Sequence, residues 1–266
     1  MIKLGVNSVL YQQWDFATAA KRIAECGYDG VEISAIAGMC EHLVLDDWKS
    51  QASELTSIVQ DAGLEWLSME ETRLDEERLK LAFEAAAEMG IPVVNVGPGG
   101  KSDVEEDLKG SIDMLAKMSE LAASYGVSLC VKAHVGAAIY NTPTTLRAME
   151  EVSSSGFGID MDPSHIHRAG ENPEDALPRV LSRVKHIHIR DCKGRQSGPG
   201  EPRDQACGRG DIDLHAYCGA MVDGGYDGPV CLEVIGAKDL DLTTVQTIAA
   251  ESYGYLNAAL KALGAR

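Results

Sequence analysis

The sequence predicts an α/β fold, a single-domain (β/α)8 barrel of the TIM type that spans residues 1–266. Short β-rich runs alternate with amphipathic helical stretches eight times, and no Pro/Ser-rich linker or change of composition divides the chain. Glycines stand where helices end before the next strand, as the C-cap preference favours: Gly27, Gly63, Gly90, Gly126 and Gly156. A doubly wound open sheet is the alternative, but GPGG at 97–100 lacks the spacing of the dinucleotide-binding fingerprint.

The predicted strands are short apolar runs rich in β-branched residues. In chain order they are KLGVN, DGVEIS, LEWLSME, PVVNVG, SLCVKAH, GFGIDMD, VKHIHIR and PVCLEVI. The predicted helices have apolar residues at helical spacing, as Phe16, Ala19, Ala20 and Ile23 illustrate in the first. Their ranges are 15–27, 46–62, 75–89, 103–125, 142–155, 173–182, 213–223 and 241–263.

Composition argues against several classes of partner. The net charge of −17, from 41 acidic and 24 basic residues, opposes binding to nucleic acid or to an anionic membrane. Seven cysteines without a CxxC pair are typical of reduced thiols in a cytoplasmic protein. Met1 leads directly into an apolar strand without a signal peptide, and no apolar run approaches the length of a membrane span. We therefore expect a cytoplasmic protein that binds neither nucleic acid nor membrane.

Side chains that can bind a metal end four of the apolar runs. His186 and His188 stand two residues apart in HIHIRD, and residues two apart in a strand point to the same face. Asp162, Glu233 and His134 each end another run. Because the carboxyl ends of parallel barrel strands meet at one face, we expect these groups to converge on a pocket there. Imidazole and carboxylate together suit Mn²⁺, Co²⁺, Zn²⁺ or Fe²⁺ better than Ca²⁺.

Structural alternatives stay open for the same residues. In one, Asp162 caps the turn that follows it; in another, His188 and Glu233 belong to a satisfied polar network. His186 lies one step deeper and is interpreted as packing or support rather than as a ligand. His165, three residues after Asp162, is a candidate for a hydrogen bond to a substrate hydroxyl.

Several motifs give the chain a family resemblance. GYDGVEIS contains Glu32, GRGDID precedes the seventh predicted helix, GGYDGPVCLEV contains Glu233, and AESYGYL lies in the last helix. With these motifs the chain resembles the sugar phosphate isomerase/epimerase family, the xylose-isomerase-like TIM barrels, over nearly its whole length. The resemblance implies a divalent-metal-dependent isomerase or epimerase that acts on a sugar or keto sugar through an enediolate.

The resemblance also implies a set of metal ligands. Epimerase-like members of the family bind the metal through Glu, Asp, His and Glu, and this pattern carries over to Asp162, His188 and Glu233. At the first ligand position this chain has Lys132, whose ammonium cannot bind a metal. His134 lies on the same face and is expected to supply the missing ligand. One divalent ion is thus predicted. Mn²⁺ is the first choice, and Co²⁺, Zn²⁺, Fe²⁺ and Mg²⁺ are the alternatives.

Lys132 also changes the expected mechanism. A lysine beside a divalent cation should have a lowered pKa, which suits acid–base work or the binding of an oxyanion. We therefore expect Lys132, Glu233 and His165 to be catalytic. Isomerisation or β-elimination, in which the proton moves on one face of the substrate, is favoured over 3-epimerisation. The alternative is that Lys132 pairs with an acidic neighbour, Glu70 or Asp160.

The lead hypothesis is a sugar isomerase or epimerase, and a keto-sugar lyase or dehydratase is the close alternative. An apurinic endonuclease is remote because the early strands lack further histidines, and a non-catalytic sugar-binding barrel is supported only by Lys132. The expected partner is a small sugar or keto sugar, and a homodimer or homotetramer is the expected assembly. The candidate substrate-binding residues are Asn7, Trp14, Glu70, His165, Lys193 and Arg195.

Overall fold

A computed structural model describes residues 1–195 and 198–266 of the chain. Eight strands run parallel in chain order, and the barrel closes because the first strand pairs with both the second and the last. A further two-residue strand pairs antiparallel with the end of the second. The predicted (β/α)8 barrel is confirmed. The strands are β1 (Lys3–Asn7), β2 (Gly30–Ile36), β3 (Cys40–Glu41), β4 (Glu65–Glu70), β5 (Val93–Val96), β6 (Ser128–Lys132), β7 (Phe157–Met161), β8 (Val184–Ile189) and β9 (Pro229–Leu232).

Helices connect the barrel strands, and each of the eight predicted ranges contains one of them. They are α1 (Phe16–Glu25), α2 (Trp48–Asp61), α3 (Glu76–Met89), α4 (Glu105–Ser124), α5 (Thr142–Glu151), α6 (Pro163–Arg168), α7 (Pro173–Val180), α8 (Leu214–Asp223) and α9 (Leu242–Ala262). Helix α6 lies outside the helices predicted from the sequence. Its start signal is the pair Asp162-Pro163, a capping carboxylate followed by proline at the first helical position.

The barrel strands are covered on both faces, as is usual for parallel sheets. Every residue of β2 and of β7 is buried. Strands β2 and β4 lie close together at Gly30, where an added Cβ would be 2.5 Å from the carbonyl oxygen of Glu65. Only glycine therefore allows β2 and β4 to pair there without displacement. In the described part of the chain, none of the helices combines the length and apolar character needed to cross a membrane.

Candidate active site

A cavity of about 420 Å³ opens at the carboxyl ends of the barrel strands. Four charged residues that line it are each at most 5% exposed: Glu70, Lys132, Arg190 and Glu233. Glu70 and Lys132 end β4 and β6, while Arg190 and Glu233 directly follow β8 and β9. We call these four residues the floor cluster. Barrel enzymes place their reacting groups at this end of the strands.

Lys132 joins the two carboxylates of the floor cluster. Its Nζ donates to Glu70 Oε1 at 2.9 Å and to Glu233 Oε1 at 2.7 Å. Arg190 Nη1 lies 3.2 Å from the other oxygen of Glu233. Asn7 Nδ2 donates to the other oxygen of Glu70 at 2.5 Å. Anions and cations therefore alternate across the floor of the cavity, and the pairing with Glu70 that the sequence analysis leaves open for Lys132 is present.

The electrostatics of the floor cluster give its members different proton affinities. Burial raises the pKa of Glu70 to about 7, and Lys132 offsets only part of this effect. Burial also acts to raise the pKa of Glu233, but Lys132 and Arg190 hold it well below its usual range. For Lys132, burial acts to lower the pKa, and Glu233 and Glu70 outweigh it, so the pKa is raised. This direction is opposite to the one expected beside a metal ion, because the neighbours of Lys132 are carboxylates.

Asp162 caps the start of α6. Its Oδ1 accepts from the backbone N–H of Ser164 at 2.8 Å and from the hydroxyl of Ser164 at 2.7 Å. Its Oδ2 accepts from Arg190 Nη2 at 3.1 Å. Arg190 Nε also donates to Ser164 Oγ at 2.8 Å, so the guanidinium joins α6 to the floor cluster. The capping role that the sequence analysis leaves open for Asp162 is therefore present.

His134 and His165 lie against each other at the cavity wall, with ring centroids 4.1 Å apart. His134 Nδ1 lies 3.0 Å from the carbonyl oxygen of Val135. Both nitrogens of His165 face donors, with Arg190 Nη2 at 2.9 Å from Nε2 and the Val135 N–H at 3.2 Å from Nδ1. Burial and the Arg190 charge lower the pKa of His165 well below its usual range. His165 is therefore a neutral hydrogen-bonding group at the wall.

A second set of polar side chains lies deeper in the barrel and is closed to solvent. His188 Nδ1 lies 2.6 Å from Asp160 Oδ2, and His188 Nε2 lies 2.5 Å from Glu32 Oε2. Burial acts to lower the pKa of His188, but Asp160 and Glu32 outweigh it and raise the pKa well above its usual range. We call this set the buried network. Its members, each 0% exposed, are Glu32, Ser68, Asn95, Asp160, His186 and His188.

The buried network depends on two irregularities of the sheet. The register of β4 against β2 shifts immediately before Glu32, and the register of β8 against β7 shifts immediately before Asp160. In each place the neighbouring strand has one extra residue, Leu67 or Lys185. Such bulges change the direction of nearby side chains. They place the two carboxylates beside the histidines of β8.

Three sets of side chains among the described residues have donor atoms within 4.8 Å of one another, as a metal site requires. Neither His134 nor Asp162 belongs to any of them, so the four predicted ligands are not assembled as one set. All three sets include members of the buried network, several of whose polar atoms already bond to each other. The three sets are Glu32, His186 and Cys231; Asp160, His186 and His188; and Glu70, His188 and Glu233.

The third set reaches the floor of the cavity. Its carboxylates, Glu70 and Glu233, already bind the Lys132 ammonium, and its imidazole, that of His188, is held by the buried network. A divalent cation among these donors would lie beside an ammonium in a buried site, where like charges repel strongly. As they are placed, the residues do not fit a resident metal ion together with a protonated Lys132.

Two of the residues predicted to bind substrate, Glu70 and His165, line the cavity. Asn7 is 0% exposed, and its side-chain amide donates to Glu70, so it positions that carboxylate. Trp14 is half-buried and packs edge-on against Tyr11. Neither Asn7 nor Trp14 is among the described residues of the cavity wall.

Lys193 and Arg195 also lie away from the described cavity wall. Lys193 Nζ pairs with Asp204 Oδ1 at 2.6 Å on the surface. Arg195 Nη1 donates to the carbonyl oxygens of His167 and Glu171 at 3.0 and 2.9 Å. The guanidinium is thus engaged by backbone acceptors at the end of α6 rather than at the floor of the cavity.

Arg190 is the floor-cluster member that the sequence analysis misses. It stands two residues after His188, so the same-face rule that relates His186 to His188 also includes it. Asp160 stands two residues before Asp162 in the same way, and the sequence analysis considers it only as a partner for Lys132. The signal for both residues is the period-two pattern of the strands.

The fold and the cavity define a (β/α)8 barrel protein with a charged pocket at the carboxyl ends of its strands. The chain belongs to the xylose isomerase-like TIM barrel family, which it matches over residues 20–259. It is similar to the inosose isomerase of Halalkalibacterium halodurans, with 24% identity over 235 residues, 84% of this chain and 83% of that protein. It is also similar to the inosose dehydratase of Mesomycoplasma hyopneumoniae, with 23% identity over 214 residues, 72% of this chain and 70% of that protein.

A solved structure described as the IolI protein with a bound zinc atom has the same fold. It matches with a TM-score of 0.79 at 20% identity, covering 98% of this chain and 99% of that one. At this identity the likeness shows the fold alone. The curated relatives are named as an isomerase and a dehydratase, so the chain is related to enzymes of both kinds.

Proposed function

We propose that the protein is a sugar isomerase or epimerase, which moves a proton on the carbon beside the carbonyl group of a polyhydroxy ketone. One observation carries the proposal: the Lys132 ammonium is held between Glu70 and Glu233 at the floor of the cavity. Such a reaction needs a base for the carbon-bound proton and positive charge beside the oxygen that becomes negative. The floor cluster supplies both, and the names of the relatives support a ketone of the inosose type.

Glu70 is the group best suited to move the proton, because burial raises its pKa to about 7. When the ionised carboxylate takes the proton, the C–H electron pair forms a C=C bond and the carbonyl π pair moves to the oxygen. Lys132 and Arg190 offer positive charge to that oxygen. For an isomerisation, the hydroxyl on the deprotonated carbon gives its proton to the new oxyanion and becomes the carbonyl, while the C=C pair takes the proton back from Glu70 at the former carbonyl carbon. For an epimerisation, a water molecule held by the Glu233 carboxylate protonates the original carbon on its opposite face, and the hydroxide that remains takes the proton from Glu70.

Two buried polar atoms in the floor cluster are suited to bind substrate hydroxyls. Arg190 Nη1 and Glu233 Oε2 form an ion pair, yet neither makes a hydrogen bond with any residue that the structure describes. Buried groups in this state gain free energy when a ligand completes their hydrogen bonds. The neutral ring of His165 lies at the wall beside them, and we assign it a third hydroxyl contact, in which the substrate replaces one of the two donors at its nitrogens. This distribution supports a substrate with several hydroxyl groups.

Dehydration of the same substrates is the second candidate, and the name of one relative favours it. The enolate forms in the same way. The hydroxyl on the next carbon then leaves as water, taking the proton that Glu70 removed, while the enolate electrons form the new double bond. The two candidates therefore share their first step and differ in the fate of the intermediate.

The sequence predicts one divalent ion, with Mn²⁺ as the first choice and His134, Asp162, His188 and Glu233 as ligands, and this four-ligand site is the alternative to a floor cluster that works without a metal. The steps proposed above do not depend on that ion, because Lys132 and Arg190 supply the positive charge. Elemental analysis of the purified protein and of a His134→Ala variant tests the prediction. One ion per chain, lost in the variant, would support the four-ligand set.

The proposed function is tested by hydrogen exchange in D₂O, followed by proton NMR on a panel of inososes and ketohexoses. Isomerisation or epimerisation gives deuterated products with the same number of oxygens, whereas dehydration gives products that have lost water. The matched variants are Lys132→Met and Lys109→Met, since Lys109 is exposed on α4 and pairs only with Glu105 among the described contacts. Exchange lost in the first and kept in the second is expected. No exchange by the unmodified protein on any ketone would reject both enzymatic candidates and leave a sugar-binding barrel.

A further inference from the structure

Lys132 occupies a position among donor atoms that are spaced for a cation. The oxygens of Glu70 and Glu233 and a ring nitrogen of His188 lie within 4.8 Å of one another. The Lys132 Nζ lies 2.9 Å and 2.7 Å from the two carboxylates. Lys132 itself is 5% exposed, so its charge is compensated by these neighbours rather than by water. The floor of the cavity therefore already contains a cation that belongs to the chain.

Arg190 strengthens the same arrangement from the other side. It pairs with the second oxygen of Glu233 at 3.2 Å and with Asp162 Oδ2 at 3.1 Å. Each carboxylate that could serve a metal at the floor is thus bound by a side-chain cation of this chain. An arriving metal would have to displace both the ammonium and the guanidinium.

We propose that the ammonium of Lys132 takes the place of a divalent metal ion in this barrel, so that the protein excludes such an ion from its floor cluster and works without one. The catalytic half of this inference rests on the proposed function, whereas the binding half does not. An ammonium has three N–H donors, and two of them are used by Glu70 and Glu233. The third is assigned to the substrate carbonyl oxygen, which gains the electron pair when Glu70 removes the neighbouring proton.

The binding half is tested with Zn²⁺ and Mn²⁺ alone, by elemental analysis after dialysis and by thermal unfolding with and without added metal. The variant Lys132→Glu replaces the cation with a third carboxylate beside an imidazole, which is a favourable donor set for a divalent ion. We expect it to retain one equivalent of metal and to unfold at a higher temperature when metal is present. Lys193→Glu is the matched control, because it makes the same charge change at the surface.

The unmodified protein and Lys193→Glu should retain no stoichiometric metal and show no metal-dependent shift in unfolding temperature. A stoichiometric ion in the unmodified protein that His188→Ala or Glu233→Ala removes would overturn the inference. Failure of a folded Lys132→Glu to bind metal would overturn it as well, because the donors would then not form a cation site. If Lys132→Glu does not fold, Lys132→Met removes the ammonium while leaving both carboxylates, and it should also gain one ion.

The catalytic half is tested by D₂O exchange after treatment with a chelator. The treated protein should keep its full rate, and Lys132→Met should lose about 10²–10³-fold, the usual effect of removing one oxyanion donor. Chelation that abolishes exchange, with recovery on adding metal, would overturn the inference while leaving the proposed reaction standing. If no ketone exchanges at all, the proposed function fails, and the metal-binding results still decide the binding half.

Discussion

At the scale of single residues, Glu70 is the carboxyl group whose ionisation should set the pH dependence of the reaction. Burial raises its pKa to about 7, and the group must be ionised to remove a proton from carbon. The exchange rate kcat/KM should therefore rise as the pH increases through 7 and level off above it. In Glu70→Gln this rise of kcat/KM with pH should disappear. The rate should also fall by about 10²–10⁴-fold, the range of general acid–base catalysis.

The matched control for Glu70→Gln is Glu71→Gln. Glu71 is equally buried, but its carboxylate pairs with Arg78 at 2.6 Å, and it does not appear in the described lining of the cavity. Its replacement should lower stability while leaving the pH midpoint of the rate unchanged. If both variants lost the rise of the rate with pH, general destabilisation rather than the ionisation of Glu70 would explain the pH dependence.

The buried network should be the most sensitive part of the molecule to loss of one charge. Asp160 holds His188 at 2.6 Å and His186 at 2.9 Å inside the barrel. Asp160→Asn leaves a buried imidazolium with less compensation, and breaking such a pair costs about 3–5 kcal/mol. Urea unfolding near pH 6 measures this loss. Asp204→Asn, which breaks the surface pair with Lys193, should cost less than about 1 kcal/mol.

The same network should give the folded state an optimum in pH. Glu32 and Asp160 have lowered pKa values because the two histidines outweigh burial, so their stabilising effect is lost as the pH falls through those lowered values. His188 has a raised pKa, so its contribution is complete below the usual histidine value of about 6.5 and is lost as the pH rises through the raised value. Asp160→Asn should flatten this pH dependence, and an unchanged profile would contradict the assignment.

At the scale of elements, the segment that follows β8 is anchored by one carboxylate. Asp191 Oδ1 accepts from the N–H groups of Cys192 and Ile212 at 2.9 and 3.1 Å, and Oδ2 accepts from Gly208 at 3.0 Å. An added Cβ at Gly210 would lie 2.2 Å from Asp191 Oδ1. This close packing fixes the path of the segment that brings Pro199 to the cavity wall.

Gly210→Ala should therefore loosen the segment over the cavity. We expect faster proteolysis and faster amide exchange within residues 198–211, together with a higher KM for the substrate. The reason is that the added methyl group displaces the Asp191 carboxylate, so the backbone N–H groups that donate to it lose their acceptor. Gly110→Ala is the matched substitution in α4, where an added Cβ meets open space. It should raise the free energy of unfolding by up to about 1 kcal/mol. Equal effects of the two substitutions would mean that the Asp191 anchor does not fix the segment.

The sequence determines the elements well because their signals are local. Periodicity and C-cap glycines place every predicted helix range over an observed helix. Helix α6 is missed because it has only six residues and its apolar residues do not recur at helical spacing. The capping pair Asp162-Pro163 is its one local sequence signal. The bulges before Glu32 and Asp160 have no local signal, because they arise from how neighbouring strands fit in the closed barrel.

At the scale of the whole molecule, the site is only partly predictable from the same pattern. Strand ends identify Glu70, Lys132 and Glu233 as pocket residues, since the carboxyl ends of barrel strands converge. Which charges then pair is a long-range outcome, because Lys132 meets partners 62 and 101 residues away in the chain. From the residue types alone, the expected arrangement is a set of side chains that bind a metal ion. The pairing of Lys132 depends on distances that no single strand determines.

The net charge of −17 gives the molecule a further property that can be measured. Repulsion among the excess of acidic side chains opposes the compact state at neutral pH, and salt screens it as the Debye length falls from about 30 Å at 0.01 M to about 10 Å at 0.1 M. The unfolding temperature at pH 7.5 should therefore rise with added KCl. Surface ion pairs such as the one between Arg147 and Glu105 act in the opposite direction, but each exposed pair contributes little. Near pH 4.8, where the net charge vanishes, the rise should disappear, and a fall in unfolding temperature with salt at pH 7.5 would show that attractive surface pairs outweigh the repulsion.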